Sequence, residues 1–561
     1  MRVDIRRLFP FLRWQRPNAD TLRRDVWAGL SVGLVLIPQA LAYATLAGMP
    51  PQTGLYAALL PSVIGILWGS SVLLAVGPVA LTSILTFGSL SPMVAAGSAE
   101  WVAMAIWLSL YAGVIQFLLG ACKMGKITYL VSQPVVIGFI NAAAVIIVLS
   151  QLPGLLGLDL HAGSAMTQVS KLLTGDPAML MTTAFGVCSL LLLLALKRYA
   201  PNLPGMLIVT VLGIAISWAI DYAGHGGAIV GVLPVGLPPL AFPPAISWNA
   251  HQTLWPAATI LAIISFTEAM SSCRVLARKT NERWDENQEL IGQGLAKITS
   301  GLSGAFPVSG SFSRSALNIY AGATSAWASL IAAACVLLSL YFLTTPIAYL
   351  PYSVLAAMIM VPVFKLLDFR AFPRLLRISR DDGLVAIVTF SVTLWSTPSL
   401  HYGVFAGVGI TMVSFLYRRT HPRVIEVGLH PDGTLRDRKR FQLPPLSPDI
   451  LAVRMDSTLN FLTAATLERF ISECRARDKA IRRVLLCASG INDIDASGIE
   501  TLESLQQNLH AEGLELYFTA VKKQVWDVLE RADIIATIGP DHIFQTDKEA
   551  LDILIPNLKL D

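Results

Sequence analysis

Apolar runs of about the length that crosses a bilayer, about 20 residues, recur along most of the chain. They fall at 26–46, 54–69, 78–96, 101–121, 132–151, 178–197 and 203–221, then at 254–273, 287–305, 311–321, 325–345, 349–363, 383–397 and 401–418. The pattern predicts an all-α polytopic membrane domain of about 14 segments over 26–420, after an N-terminal segment 1–25. From Pro422 the period changes. Alternating apolar runs at Ile450–Arg454, Val484–Cys487 and Leu514–Phe518 interleave with helical spacing at Thr463–Ala476, Ser497–Glu512, Val525–Ala532 and Lys548–Leu554. That alternation predicts a small α/β domain over 441–561, behind a linker at 421–440.

Charge placement orients the spans. Arg2, Arg6, Arg7, Arg13, Arg16, Arg23 and Arg24 crowd the start, which the positive-inside rule assigns to the cytoplasm. An Arg-rich start that runs directly into a full-length span also reads as lacking a cleavable signal. Lys123 and Lys126 follow the fourth span, Lys197 and Arg198 the sixth, and Arg274, Arg278, Lys279 and Arg283 the eighth. Lys365, Arg370, Arg374, Arg377 and Arg380 follow the twelfth, and Arg418, Arg419 and Arg423 the last. All of these follow even-numbered spans, whereas 222–253 has no Lys or Arg and 152–177 has only Lys171. A multi-pass protein of the cytoplasmic membrane with both termini inside is the consistent reading.

Composition narrows the classes. With 54% hydrophobic and 14% charged residues, the chain is too apolar for a soluble protein. Its net charge of +5 reflects orientation in a lipid bilayer, not nucleic-acid binding. The six cysteines include no CxxC pair and suggest neither a disulfide frame nor a metal site. There is no phosphate-binding loop and no nucleophile–base pair, so an enzyme, a cofactor and ATP-driven transport are not expected.

The chemistry gathers where spans are broken. Phe306–Asn318 is small and hydroxyl-rich, is interrupted by Pro307 and Gly310, and carries the cation Arg314. Backbone that leaves the helical ladder at membrane depth must line a cavity or be buried in protein. A short helix starting there would point free N–H groups and the positive end of its dipole at the cavity, making an anion site with Arg314 and its serines. The competing reading is a Pro-kinked helix whose serines bond their own carbonyls while Arg314 snorkels. Leu74–Ser83 is a second Gly-Pro break, and two broken segments in corresponding halves point to a transporter of inverted repeats.

Three further positions carry polar groups of note. Glu268 lies within an apolar span, where a carboxylate needs a partner or a proton. It reads as a site for coupling H⁺ or Na⁺, or as a structural carboxylate paired with Arg274 or Arg278. Gln39 and Tyr43 lie four residues apart on one face of the first span, placed either to bond an anion or to glue helices. In the tail, Ser497 follows Asp495 at a helix start. It reads as an N-cap, or as a phospho-acceptor or docking tip for a cytoplasmic protein partner.

Together these pieces resemble the SulP (sulfate permease, SLC26-type) anion transporters with a C-terminal STAS domain. The resemblance rests on Pro38-Gln39-Ala40-Leu41-Ala42-Tyr43, Gly54-Leu55-Tyr56, Val76-Gly77-Pro78-Val79-Ala80 and Ser311-Phe312-Ser313-Arg314-Ser315-Ala316-Leu317-Asn318. Asp495-Ala496-Ser497-Gly498 looks like the STAS signature, with Ala496 replacing its first hydroxyl, a departure that weakens a phosphorylation role. It implies two inverted repeats of seven segments arranged as a core and a gate, usually as a homodimer, with half-helices at the third and tenth segments. It also implies an anion between Val79–Ala80 and Ser311–Arg314, with Phe312 and Ser313 in the site and Gln39 and Tyr43 reaching it. Glu268 matches the acidic residue that family members use for coupling. The expected activity is H⁺-coupled import of sulfate. The same fold also admits a Na⁺-coupled bicarbonate or C4-dicarboxylate transporter, and a membrane-anchored STAS signalling protein is a rival of another class.

Overall fold

The computed structural model describes residues 9–14, 17–126, 131–158, 177–200, 203–281, 284–364, 366–397 and 400–556. Arg2, Arg6, Arg7, Arg16, Lys171, Arg283 and Lys365, on which part of the charge reading rests, lie outside them. The chain divides into two units, 1–411 and 412–561.

The first unit realises the apolar runs as helices α1 (Ala19–Leu46), α2 (Gln52–Trp68), α3 (Ala80–Leu90), α4 (Ala99–Ala121), α5 (Gln133–Leu156), α6 (Pro177–Tyr199) and α7 (Gly205–Ala219). There follow α8 (Trp248–Thr280), α9 (Glu286–Leu302), α10 (Phe312–Tyr320), α11 (Trp327–Phe342), α12 (Tyr352–Phe364), α13 (Arg380–Trp395) and α14 (His401–Thr420), the last running past residue 411. One expected span is corrected. Residues 78–96 do not form a single crossing helix, because α3 begins only after the Gly77-Pro78 break and ends at Leu90. Residues 91–96 are turn, and extended chain precedes both short helices: strand β1 (Ala75–Gly77) runs into α3, and β2 (Ser309–Ser311) into α10.

Packing sorts the helices into two bundles. α1–α4 pack with α8–α11, and α5–α7 pack with α12 and α13. α14 joins the second bundle, because Gly403 and Gly407 bring it onto Thr393 and Thr389 of α13. Each bundle therefore takes the same portion of both sevenfold halves. In the first bundle α4 and α9 approach closely where Gly113 faces Gly294: a Cβ on Gly113 would lie 2.8 Å from the Gly294 carbonyl oxygen. Close approach between small residues replaces the hydrophobic drive that lipid removes.

Buried polar groups in this unit are largely satisfied, as a low-dielectric interior requires. Asp25 of α1 is fully buried and holds the turn that leads into α11, accepting from the backbone N–H groups of Thr324 (2.6 Å) and Ser325 (3.2 Å). Glu289 of α9 accepts from the N–H groups of Ser70 (2.8 Å) and Ser71 (3.0 Å) and from the Gln293 amide (3.0 Å).

The second unit is a six-stranded sheet in the order β4-β3-β5-β6-β7-β8, made of β3 (Val424–Leu429), β4 (Leu435–Asp437), β5 (Ile450–Met455), β6 (Arg483–Cys487), β7 (Glu515–Thr519) and β8 (Ile543–Phe544). β5 through β8 pair in parallel, while β3 runs antiparallel to both β4 and β5. Helices α15 (Ala464–Arg477), α16 (Ala496–Ala511) and α17 (Lys523–Arg531) cover one face of the sheet, and α18 (Asp547–Leu554) packs on the other. Strand alternation builds both cores: Leu451 and Val453 face one, Ile450 and Ala452 the other. The stretch read as a linker, 421–440, thus carries β3 and β4 of this sheet.

Candidate anion site

The site is assembled where the two interrupted segments cross. β1 and β2 pair antiparallel with Ala75 opposite Ser311, Val76 opposite Gly310 and Gly77 opposite Ser309. Two three-residue strands are too short to hold themselves, and side chains lock the crossing. Ser62 Oγ donates to the Val76 carbonyl (2.8 Å), and the Ala75 N–H donates to Ser315 Oγ (2.8 Å), which in turn donates to the Ser311 carbonyl (2.6 Å). Ser309 Oγ donates to the Ser265 carbonyl of α8 (2.9 Å). The crossing directs the N-termini of α3 and α10 at membrane depth, with Val79 and Ser311 as their N-caps.

The two starts differ in how their backbone donors are met. Ser311 Oγ accepts from the Arg314 N–H (3.4 Å) in α10. In α3 no side chain caps the first turn, because its N-cap residue, Val79, has no polar side chain, and Thr82 and Ser83 donate their hydroxyls to the Val79 carbonyl. The first N–H groups of α3 therefore lack a side-chain acceptor, the condition in which a helix start takes an anion.

Arg314 links the half-helices. Its side chain is 1% exposed and its Nη1 donates to the Pro78 carbonyl (2.7 Å), while Nε and Nη2 are buried without a hydrogen-bond partner. A snorkelling arginine keeps its head in water. This one is anchored in the interior with donors to spare, and a buried unmet donor is costly unless a ligand meets it. Ser313 and Phe312, at the first turn of α10, are exposed and open one side of the site.

Gly77 fixes the approach. Its φ of +151° suits glycine, and a Cβ there would lie 3.2 Å from both Arg314 Nη2 and Ser62 Oγ. Gly77→Ala should therefore cost about 1–2 kcal/mol of stability through backbone strain and weaken anion affinity as well. Paired thermal melts with and without sulfate check this: the variant should melt lower and gain less from the anion.

The remaining candidates fall as follows. Glu268 of α8 is half-buried, its Oε2 has no partner, and among the described residues it forms no ion pair. Arg274, one of its expected structural partners, lies 3.8 Å from Glu286 instead. Glu268 and Tyr43 both lie within electrostatic range of Arg314. Gln39 is buried with its Nε2 on Met206 Sδ of α7 (3.2 Å) and its Oε1 unmet, so helix contact already occupies half of its amide. In the tail, Asp495 is the N-cap of α16, accepting from the Gly498 N–H (2.8 Å), and the half-buried Ser497 stands in the first turn behind it. The N-cap reading of Ser497 is thereby corrected: the carboxylate wins the capping position.

One charged residue escaped the sequence reading. Lys297 of α9 is fully buried, and its Nζ donates to Gln116 Oε1 of α4 (2.9 Å). A signal was present. Glu289, Gln293 and Lys297 recur every fourth residue in an expected span, a polar stripe that packing must turn inward.

Comparisons with known proteins identify the family. Residues 22–389 match the sulfate permease family model and residues 445–550 match the STAS domain model. A probable sulfate transporter of Mycobacterium tuberculosis is 32% identical over 94% of this chain and 94% of that protein. The chloroplastic sulfate transporter 4.1 of Arabidopsis thaliana is 29% identical over 98% of this chain and 82% of that protein. Among solved structures, the murine Solute Carrier 26 family member A9 anion transporter in the inward-facing state superposes with a TM-score of 0.88 at 23% identity, over 99% of this chain and 95% of that one.

Proposed function

The chain belongs to the sulfate permease family, with a STAS domain in its tail, and from that premise we propose that it imports sulfate with H⁺ across the cytoplasmic membrane by alternating access. The observation that carries the proposal is Arg314, buried between two half-helix starts with Nε and Nη2 unmet. Charge supports a dianion: one guanidinium and two helix termini, each worth about half a charge, roughly neutralise sulfate. The anion sits between Val79–Ala80 and Ser311–Arg314, with Phe312 and Ser313 at its entrance and Gln39 and Tyr43 on α1 behind it.

Glu268 supplies the coupling. Its carboxylate opposes an entering anion, and a proton removes that opposition, so proton and dianion bind together. The two bundles are the parts that move. They meet through α1 against α7 and α12 and through α3 against α5, and a cavity of about 230 Å³, lined by Ile84, Phe87, Ile147 and Ser150 among others, lies between α3 and α5. We place both termini in the cytoplasm, on the cations at the ends of α4, α6, α8 and α14. The unit of function is a homodimer whose STAS tail regulates transport.

Labelled sulfate uptake into proteoliposomes, with and without an inward proton gradient, tests the proposal. Accumulation should follow the gradient and resist unlabelled bicarbonate, fumarate and chloride. Uptake of a competitor in place of sulfate would contradict the substrate, and accumulation that ignores the gradient would contradict the coupling.

A further inference from the structure

Lys297 has no part in the account so far, and a fully buried lysine in a membrane bundle needs a reason. Its surroundings connect it to the crossing of the half-helices. Lys297 Nζ donates to Gln116 Oε1 (2.9 Å), and Gln116 Nε2 donates to the Ala262 carbonyl (2.6 Å) and Ser265 Oγ (3.1 Å) of α8. The Ser265 carbonyl accepts from Ser309, which stands opposite Gly77 in the paired strands. Ser109 Oγ holds the Lys297 backbone carbonyl (2.8 Å), so both ends of the residue are tied to α4. Glu268, one turn beyond Ser265, lies within electrostatic range of Lys297 as well as of Arg314. Gln116 gives the ammonium a neutral acceptor, and the lysine's charge is left uncancelled by any ion pair among the described residues.

We propose that Lys297 is the charge-selectivity residue of the site, the second cation that makes it prefer a dianion to a monoanion. The proposal rests on the sulfate reading above and extends it. While Glu268 is ionised, its charge and that of Lys297 balance. When Glu268 takes a proton, Lys297 is left uncompensated and adds a unit of positive charge to that of Arg314 and the two helix starts. Removing Lys297 takes that added unit away. A dianion feels a given cation twice as strongly as a monoanion does. One unit of charge at roughly 10 Å and an effective dielectric constant of about 20 shifts the ratio by on the order of tenfold.

The test compares initial rates of sulfate and nitrate uptake at limiting concentration, for the full-length protein in proteoliposomes. Wild type should favour sulfate. Lys297→Gln should lower nitrate uptake by about tenfold and sulfate uptake by about 100-fold, so that the sulfate-to-nitrate ratio falls by about tenfold, and Lys297→Arg should keep the wild-type ratio. Gln116→Glu neutralises the cation without removing it. It should reproduce the effect of Lys297→Gln, and it decides the matter if the latter does not fold. An unchanged ratio in either neutralising variant, or parallel loss of both anions in both, would overturn the assignment and return Lys297 to holding α9 against α4. A wild type that prefers sulfate combined with an unchanged ratio overturns the Lys297 assignment alone. A wild type that carries nitrate and no sulfate overturns the sulfate reading together with it.

Discussion

Arg314→Ala abolishes sulfate binding, by at least about 100-fold in Kd, while the protein elutes and melts as a folded membrane protein. The magnitude follows from what is removed. The guanidinium offers Nε and Nη2 to the site, and each charge-assisted hydrogen bond is worth about 1.5–3 kcal/mol. Folding survives because the link lost, Nη1 to the Pro78 carbonyl, is one of several that hold the crossing. Ser62, Ser309 and Ser315 keep theirs. Arg314→Lys separates charge from geometry: it keeps the cation and loses the fork, and affinity should fall to an intermediate value. Titration calorimetry with purified protein reads all three. Normal affinity in Arg314→Ala would move the anion away from the half-helices.

Glu268→Gln removes uphill transport and keeps downhill exchange. Gln has the shape of the protonated carboxyl and no proton to give, so the variant should admit sulfate and exchange it, yet fail to accumulate it when a proton gradient is imposed. The sign of the pH effect follows from the coupling. Wild-type uptake should rise as the outside pH falls, since protonation lifts the opposition to the anion, and the Glu268→Gln profile should be flat. Counterflow and gradient-driven uptake in the same vesicles separate the two activities. Gradient-driven accumulation by Glu268→Gln would assign the coupling proton to another group.

Much of this arrangement was legible because membranes impose strong rules on sequence. Apolar length located the fourteen helices, with the ends of α1, α3 and α8 off by six or seven residues, and Gly77-Pro78 and Pro307–Gly310 marked where backbone leaves the ladder. What those breaks do to each other was not legible. The pairing of Ala75–Gly77 with Ser309–Ser311 joins residues more than 230 positions apart, and no local period records such a contact. Lys297 was passed over for a related reason: a single cation in a span reads as a tolerated exception until packing shows that it is bonded to Gln116 of α4. In the tail, the main strands followed their alternation. The stretch of β3 and β4 was read as linker because its Pro and Gly residues and its basic run Arg436–Arg440 obscure the pattern, although Asp432-Gly433 between two apolar runs is a hairpin signal.

The central claim is that the anion sits against Arg314 between the starts of α3 and α10. Anomalous diffraction at the selenium edge from crystals soaked in selenate, a tetrahedral dianion of sulfate's shape, tests it most directly. The account expects one peak within hydrogen-bonding distance of the Arg314 guanidinium and the first turn of α3. A selenium peak elsewhere in the membrane unit, with none beside Arg314, would contradict it.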